Sequence, residues 1–295
     1  MSWRTVVVSR RAKLDMKMGF LVVRSEEETK KVHLDEISVL ILENTAVSIT
    51  GSLISALSEK KIKVIFCDEK RNPACELVSY NGSHDNSLKI RKQIAWSEVI
   101  KTSVWTEIIA EKIRKQVEFL VALDKKDEAL MLMDYIHELE PGDITNREGH
   151  AAKVYFNAVF GMEFTRSRDC VTNAALNYGY SILLSFFNRE IVSHGYLTQL
   201  GLFHSNMYNH FNFSCDLMEP FRIIVDRCVY NNKFTKFQKE EKYILVDLLN
   251  SQVFINGTVQ YLSNAIRIYC RSVFEALNEN DISKINFYIY GDEEK

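Results

Sequence analysis

Short β-branched and aromatic stretches, separated by polar or Gly/Pro turns, predict a β-rich unit at the start of the chain. The predicted strands are Thr5–Val8, Gly19–Val23, Ser38–Leu42, Ala46–Ile49, Lys63–Cys67 and Glu76–Tyr80. One helix is predicted among them, around Ser52–Glu59, because its apolar side chains recur at helical spacing. Many short strands at this spacing favour a small β-sandwich.

From Leu88 onwards the apolar positions follow a helical period. Helices are predicted over residues 88–123 (as one or two helices), 126–139, 147–160, 171–193, 220–230, 238–250 and 259–277. Asn256-Gly257 predicts a short hairpin, and Phe287–Tyr290 reads as a strand before an acidic tail that we expect to fray.

The composition of residues 81–87, rich in Asn, Gly, Ser and Asp, indicates a linker. The predicted domains are therefore residues 1–80, β-rich, and residues 88–295, helical. The predicted fold class is α+β multidomain, with an N-terminal β-sandwich-like domain followed by an all-α C-terminal domain.

The composition agrees with a soluble globular protein, with 46% hydrophobic and 26% charged residues in a chain of 295. The sequence contains neither an apolar run long enough to span a membrane nor a secretory leader. Six cysteines without a CxxC pair predict reduced thiols, a cytoplasmic location and no structural zinc site.

The formal net charge is −2, but basic residues are locally in excess, with eight Lys and Arg against four acids in residues 1–31 and a second group in residues 88–116. Nucleic-acid binding needs a basic face, not a basic total. For any single one of these residues, a solvated surface position is the simpler interpretation.

Glu148 shares a predicted helical stripe with Ala152, Tyr155, Phe156 and Val159, and Asn146 is the expected N-cap. A carboxylate on an apolar stripe is costly unless a partner binds it. The alternative is a solvated acid in the first helical turn, where the helix dipole favours it. The sequence leaves the two interpretations evenly balanced.

Two further candidates follow along the chain. His204 stands at the junction of an apolar and a polar stretch, where a structural histidine is the commoner outcome. Asp216 and Glu219 precede Pro220, a residue that suits the first turn of a helix. Helix capping, with an Arg222–Asp226 ion pair, would also account for these acids. Two carboxylates and an imidazole would suit Mg²⁺ or Mn²⁺.

Taken together, these segments resemble the CRISPR-associated spacer-acquisition integrases, the first Cas protein family, in the branch that accompanies Cas9-type effectors. The segments that carry the resemblance are Ser38–Leu42, Phe66–Lys70, Glu148–Ala152, Phe164–Arg168, Asn173–Tyr180, Gly201–His204 and Asp216–Arg222. The resemblance covers nearly the whole chain, and the last motif is its most specific part.

The resemblance implies that Glu148, His204 and Glu219 bind Mg²⁺ or Mn²⁺ and carry the catalysis, with Asp216 as a nearby alternative to Glu219. It implies an N-terminal domain that forms a homodimer, and two dimers that flank a small second Cas protein and hold a DNA duplex. The implied reaction is attack of a prespacer 3′-hydroxyl on the end of a CRISPR repeat. The Cas9-type effector and an associated adaptation protein are further implied partners.

Phosphate contacts are predicted for eight basic residues: Lys89, Arg91, Lys92, Lys112, Arg114, Lys115, Arg166 and Arg168. Two other functions stay open from the sequence, a stand-alone metal-dependent DNA endonuclease and a non-catalytic DNA-binding scaffold.

Overall fold

A computed structural model describes residues 4–79 and 83–290 of the chain. The chain divides into two compact units, Met1–His84 and Asp85–Lys295. Tyr80 of the predicted sixth strand, the first part of the predicted linker and the acidic tail lie outside the described residues. No helix within the described ranges is both long and apolar enough to cross a membrane.

Among its described residues, the N-terminal unit has eight strands in two four-stranded sheets, together with one α-helix. The elements are β1 (Arg4–Val8), β2 (Ala12–Lys17), β3 (Phe20–Arg24), β4 (Thr29–His33), β5 (Ile37–Leu42), β6 (Val47–Ile49), α1 (Gly51–Glu59), β7 (Lys63–Cys67) and β8 (Pro73–Glu76). One sheet has the order β1-β5-β7-β8 and the other β4-β3-β2-β6. Both sheets contribute to one apolar core, for example Leu40 from β5 and Leu14 from β2, which Leu57 of α1 joins.

Differences from the predicted strands have physical reasons. β2 alternates apolar and lysine or aspartate side chains, and β4 is an edge strand with two exposed lysines, a common protection of a sheet edge. Both had the composition of a turn. The sixth predicted strand lies earlier than expected, at Pro73–Glu76.

The C-terminal unit is mostly helical, as predicted. Its helices are α2 (Asn86–Ala95), α3 (Glu98–Ala122), α4 (Lys126–His137), α5 (Arg147–Phe160), α6 (Val171–Ser193), α7 (Asn212–Met218), α8 (Arg222–Asn232), α9 (Lys239–Asp247) and α10 (Leu262–Glu279). The predicted hairpin is present as β9 (Gln252–Ile255) and β10 (Thr258–Tyr261), and β11 (Ile289–Tyr290) pairs with β9.

The long helix α3 organises this unit, since α4, α5, α8, α10 and a 3-10 turn at Glu219–Phe221 all pack against it. Its buried face carries Ile108, Ile109 and Ile113, together with Trp105. Side chains from α5 and from the start of α8 are thereby brought to the same stretch of α3.

Candidate active site

A cavity of about 280 Å³ opens in the helical unit where α3, α5, α6 and the start of α8 meet. Its lining residues are Lys112, Gln116, Glu148, Ala152, Phe156, Arg166, Tyr180, His204, Glu219, Arg222, Ile223 and Asp226. The structure therefore brings together Glu148, His204 and Glu219, although 56 residues separate the first two in the sequence.

Glu148 lies in the first turn of α5 and points into this cavity from the stripe that also carries Ala152 and Phe156. Asn146 is the N-cap residue, as expected, but its backbone angles are left-handed and its side chain makes no capping hydrogen bond. The Asp143 carboxylate accepts the backbone N–H groups of Arg147 and Glu148 instead, at 2.6 and 3.0 Å. Asp143 therefore fixes the start of the helix that presents Glu148.

Glu219 is buried, with a side chain only 4% exposed, at the start of the 3-10 turn that leads into α8. Lys112 Nζ donates to its Oε2 at 2.5 Å, and Arg222 Nε donates to its Oε1 at 2.9 Å. Burial alone would raise the pKa of Glu219, but the charges of Arg222 and Lys112 hold this pKa down at about 2. Arg222 thus pairs with Glu219, and the alternative interpretation, an Arg222–Asp226 ion pair, is wrong.

The role of Asp216 follows from its hydrogen bonds. Its fully buried carboxylate accepts the backbone N–H groups of Leu202, Phe203 and His204, and it also bonds His204 Nδ1 at 2.5 Å. Both oxygens are occupied by these bonds. The geometry therefore favours Glu219 over Asp216 as a metal ligand and gives Asp216 the task of orienting His204.

His204 is the most exposed of the three candidates, with 39% of its side chain accessible. Its ring meets the rings of Trp105 and Phe203 edge-on at 5.7 Å, and those two rings stack on each other at 4.7 Å. The hydrogen bond that the His204 ring donates to Asp216 raises the pKa of His204. Burial opposes this rise, and the Asp216, Glu219 and Glu148 charges add to it. With Nδ1 bound to Asp216, Nε2 is the nitrogen left for a ligand.

Gly201 permits this arrangement. A Cβ at position 201 would lie 2.4 Å from the His204 carbonyl oxygen and 2.7 Å from Asp216 Oδ2. Only glycine allows the loop to approach the carboxylate so closely.

Lys112 is the central cation of the cavity. Its Nζ donates to Glu148 Oε1 and to Glu219 Oε2, both at 2.5 Å. Burial lowers the pKa of Lys112, but the Glu219 and Glu148 charges outweigh burial and raise it overall. Sequence reasoning missed this role, although one signal was present: Lys112 lies four residues after the buried Ile108, on the inner face of α3.

A second group, at the wall of the cavity, also escaped sequence reasoning. The hydroxyls of Tyr155 and Tyr180 both donate to the buried Asp226 carboxylate, at 3.1 Å for Tyr155. Burial raises the pKa of Asp226 to about 6, against the opposing effect of these two hydrogen bonds. The Arg222 guanidinium lies 4.8 Å from the centre of the Tyr180 ring, which connects this group to Glu219.

Not all the predicted phosphate-contact residues lie on an open surface. The predicted surface position is wrong for Lys112 and Lys115, because both side chains are largely buried and bound to carboxylates. Lys115 pairs with Glu111 and Glu118. Arg166 lines the cavity and donates to Asn173 and Asn177 at 2.6 Å.

The remaining five predicted positions differ in exposure. Arg91, Lys92 and Arg168 are exposed. Lys89 is partly buried near Asp85, and Arg114 is exposed and paired with Glu111.

The donor chemistry fits a hard divalent cation only in part. The Glu148 and Glu219 carboxylates already converge on one cationic atom, the ammonium of Lys112. Within residues 4–79 and 83–290, however, no three His, Cys, Asp or Glu side chains lie close enough together to hold one metal ion.

Comparison with known proteins shows the family of the chain. A family model described as CRISPR associated protein Cas1 matches residues 5–257. The CRISPR-associated endonuclease Cas1 of Neisseria meningitidis serogroup C is 34% identical over 229 residues, which cover 78% of this chain and 75% of that protein. A CRISPR-associated endonuclease Cas1 of Francisella tularensis subsp. novicida is 25% identical over 286 residues, 89% of each chain.

Solved structures share the fold at low sequence identity. A Cas1 protein from Thermotoga maritima superposes with a TM-score of 0.76 at 18% identity, covering 99% of this chain and 100% of that one. A casposase bound to its integration product gives a TM-score of 0.78 at 17% identity, covering 96% and 94%. A chain of a Cas6-RT-Cas1–Cas2 complex gives 0.74 at 16% identity, covering 99% of this chain and 36% of that chain.

Proposed function

Because this chain belongs to the Cas1 family of CRISPR-associated proteins, we propose that it is a metal-dependent integrase that inserts short foreign DNA into a CRISPR array. The observation that carries the proposal is the convergence of the Glu148 and Glu219 carboxylates on one cationic atom, in a cavity that His204 also lines. Relatives of the chain are CRISPR-associated endonucleases, and a protein of the same fold is a casposase bound to an integration product. The general activity is therefore that of a CRISPR-associated nuclease or integrase.

In the proposed reaction, the 3′-hydroxyl oxygen of the captured DNA forms a bond to phosphorus at the repeat end. The bond from that phosphorus to its former 3′-oxygen breaks. One phosphodiester replaces another, so no nucleotide cofactor is consumed. In this in-line displacement, negative charge develops on the oxygens of the phosphate group and on the leaving 3′-oxygen.

Glu148, Glu219 and the Nε2 atom of His204 are the proposed ligands for Mg²⁺ or Mn²⁺. When bound, the ion would polarise the phosphate and stabilise negative charge on its oxygens. The chain's own residues do the positioning: Asp216 orients His204, Arg222 holds Glu219, and Asp143 holds the start of α5. Arg166, fixed by two asparagines, presents a further positive charge to the cavity.

The proposed partners follow from the family. They are double-stranded DNA, as prespacer and as repeat with its leader, a second copy of this chain, and a small second Cas protein. Structures of the same fold come from complexes that contain Cas2, which supports the last of these. The Cas9-type effector and an associated adaptation protein complete the proposed set.

A strand-transfer assay tests the function. Purified protein, the small second Cas protein, a short duplex and a repeat-containing plasmid are combined with Mn²⁺ or with EDTA. Glu148→Gln, His204→Gln and Glu219→Gln should each abolish joining and keep duplex binding, because phosphate contacts elsewhere provide the affinity. Because the three residues are proposed to act together, loss of one should reduce the joining rate nearly as much as loss of all three.

The alternatives give different products in the same assay. Cleaved but unjoined plasmid from the wild type would indicate a stand-alone endonuclease. Normal joining by all three variants would show that these residues are not the catalytic set. Duplex binding with neither joining nor cleavage would indicate a DNA-binding scaffold.

A further inference from the structure

Lys112 bridges two carboxylates of the candidate active site, those of Glu148 and Glu219. Its Nζ lies 2.5 Å from Glu148 Oε1 and 2.5 Å from Glu219 Oε2, so these two oxygens are separated by at most twice that distance. Its partners belong to α5 and to the start of the 3-10 turn, which are distant in the sequence. The ammonium therefore occupies the space between the two carboxylates proposed as metal ligands.

An ammonium is a compact point charge, and it can hold two carboxylates much as a small metal ion does. Oxygen ligands surround Mg²⁺ at about 2.0–2.1 Å, so a divalent ion between Glu148 and Glu219 would need nearly the same volume as Nζ. Both cations cannot occupy that volume together. Binding of the metal thus requires the ammonium to leave.

We propose that Lys112 is a tethered counter-ion that occupies the metal position in the metal-free protein and is displaced when the divalent cation binds. Metal loading is then an exchange of one cation for another. This inference rests on the proposed metal set of Glu148, His204 and Glu219.

Charge balance supports an exchange. Without Lys112, Arg222 would still bind Glu219, but through the other oxygen, Oε1. Two carboxylates this close in a mostly buried cavity repel each other, which disfavours the empty state. The Lys112 side chain is 11% exposed and lines the cavity, so its flexible four-carbon stem has open space into which the ammonium can move.

Lys115 provides a matched comparison on the same helix. It is also buried and bridges two carboxylates, those of Glu111 and Glu118, at 3.3 and 2.9 Å. Both partners lie on α3 itself, and none of the three residues lines the cavity. Lys115 thus resembles Lys112 in its burial and in pairing with two carboxylates, but it lies outside the proposed metal site.

The test compares Lys112→Met with Lys115→Met in the full-length protein. Thermal unfolding in EDTA should show a lower midpoint for both variants, because each substitution removes a buried ammonium from two carboxylates. Calorimetric titration with Mn²⁺ should separate them. Lys112→Met should bind Mn²⁺ about tenfold more tightly than the wild type if the ammonium occupies the position about 90% of the time. Lys115→Met should bind it as the wild type does.

Lys112→Arg is the second variant and keeps the charge. A guanidinium binds carboxylates through two parallel hydrogen bonds and is a stronger competitor than an ammonium, so Mn²⁺ should bind this variant several-fold more weakly. If Lys112→Met does not fold, the Mn²⁺ affinity of Lys112→Arg alone tests the proposed exchange. Mn²⁺ affinity at the wild-type level or tighter in Lys112→Arg, or unchanged or weaker affinity in Lys112→Met, would overturn the exchange.

Glu148→Gln/Glu219→Gln separates this inference from the proposed function. Loss of Mn²⁺ binding in this double variant, with wild-type affinity in Lys112→Met, overturns the exchange alone. Undiminished Mn²⁺ binding in the double variant shows that the metal does not use these carboxylates, and then the proposed metal set and the exchange both fail.

Discussion

His204 illustrates how single residues set the chemistry of the site. Its ring is held by Asp216 on one side and by the aromatic pair Trp105 and Phe203 on another. The imidazolium form is favoured by this carboxylate, with a smaller contribution from Glu219 and Glu148. In the absence of metal, the proton on His204 is therefore part of what stabilises the folded protein.

The raised pKa of His204 gives a prediction for pH dependence. A group whose pKa is higher in the folded than in the unfolded state adds stability below its unfolded value, near 6.5, and this contribution disappears as the pH rises through the folded value. In EDTA, the free energy of unfolding of the wild type should thus exceed that of His204→Gln by more at pH 5.5 than at pH 9. Urea unfolding at the two pH values measures this difference.

Asp216→Asn supplies the control for this prediction. It removes the charge that raises the pKa of His204, so the titration midpoint of the ring, followed by NMR, should move down towards the ordinary value. A stability difference independent of pH, or an unmoved midpoint in Asp216→Asn, would contradict the assigned interaction.

At the residue scale, sequence reasoning could find candidate types but not their partners. Glu148, His204 and Glu219 were identified and do line one cavity. The proposal of Glu219 over Asp216 as a ligand rests on the loop from Leu202 to His204, whose backbone N–H groups donate to the Asp216 carboxylate. No local pattern shows such bonds between residues 12 to 14 positions apart.

At the scale of elements, the start of α5 determines where Glu148 points. Asp143→Ala should cost at least about 0.5–2 kcal/mol, because the N–H groups of Arg147 and Glu148 lose their acceptor and because alanine is strained at the left-handed backbone of residue 143. Asn146→Gly is the matched control and should be neutral or slightly stabilising, because Asn146 has a left-handed backbone that glycine adopts freely. Chemical denaturation measures both. Equal costs for the two variants would argue against Asp143 as the cap.

Long helices were the most predictable elements, since α5 and α6 have the bounds that the apolar period indicated. α7 was missed because its sequence, Asn-Phe-Ser-Cys-Asp, has weak helix propensity, and the packing of its buried face compensates. β4 was missed for the related reason that an edge strand can be polar on both faces. Elements held mainly by tertiary packing are those that a local pattern does not reveal.

At the scale of the whole molecule, the exposed basic residues predict how the protein binds DNA. Arg91 and Lys92 lie exposed on α2 in a chain of net charge −2. Arg91→Glu/Lys92→Glu should weaken duplex binding and reduce the slope of log affinity against log salt by about one unit per lost phosphate contact. Fluorescence anisotropy over a salt series measures the slope. Lys126→Glu, at an exposed position on α4, is the control, and equal slopes in both variants would exclude α2 from the DNA path.

Self-association is predicted to use the N-terminal unit, because its two sheets leave β1, β8, β4 and β6 as edges. Exposed apolar side chains at the β2–β3 hairpin also favour self-association through this unit. At the β2–β3 hairpin, Met16 and Phe20 are each 38% exposed, and Met18 is 88% exposed with a left-handed backbone. Three large apolar side chains at one hairpin are the kind of surface that a second copy would cover.

Met16→Glu/Met18→Glu should therefore shift the full-length protein from dimer towards monomer, because two carboxylates at that hairpin would have to be buried against a partner. Sedimentation velocity at the concentration where the wild type is dimeric measures the shift. Met162→Glu, at a methionine 79% exposed in the helical unit, should leave the dimer intact. A double variant that stays dimeric, together with an isolated fragment 85–295 that dimerises as well as the full chain, would place the interface in the helical unit.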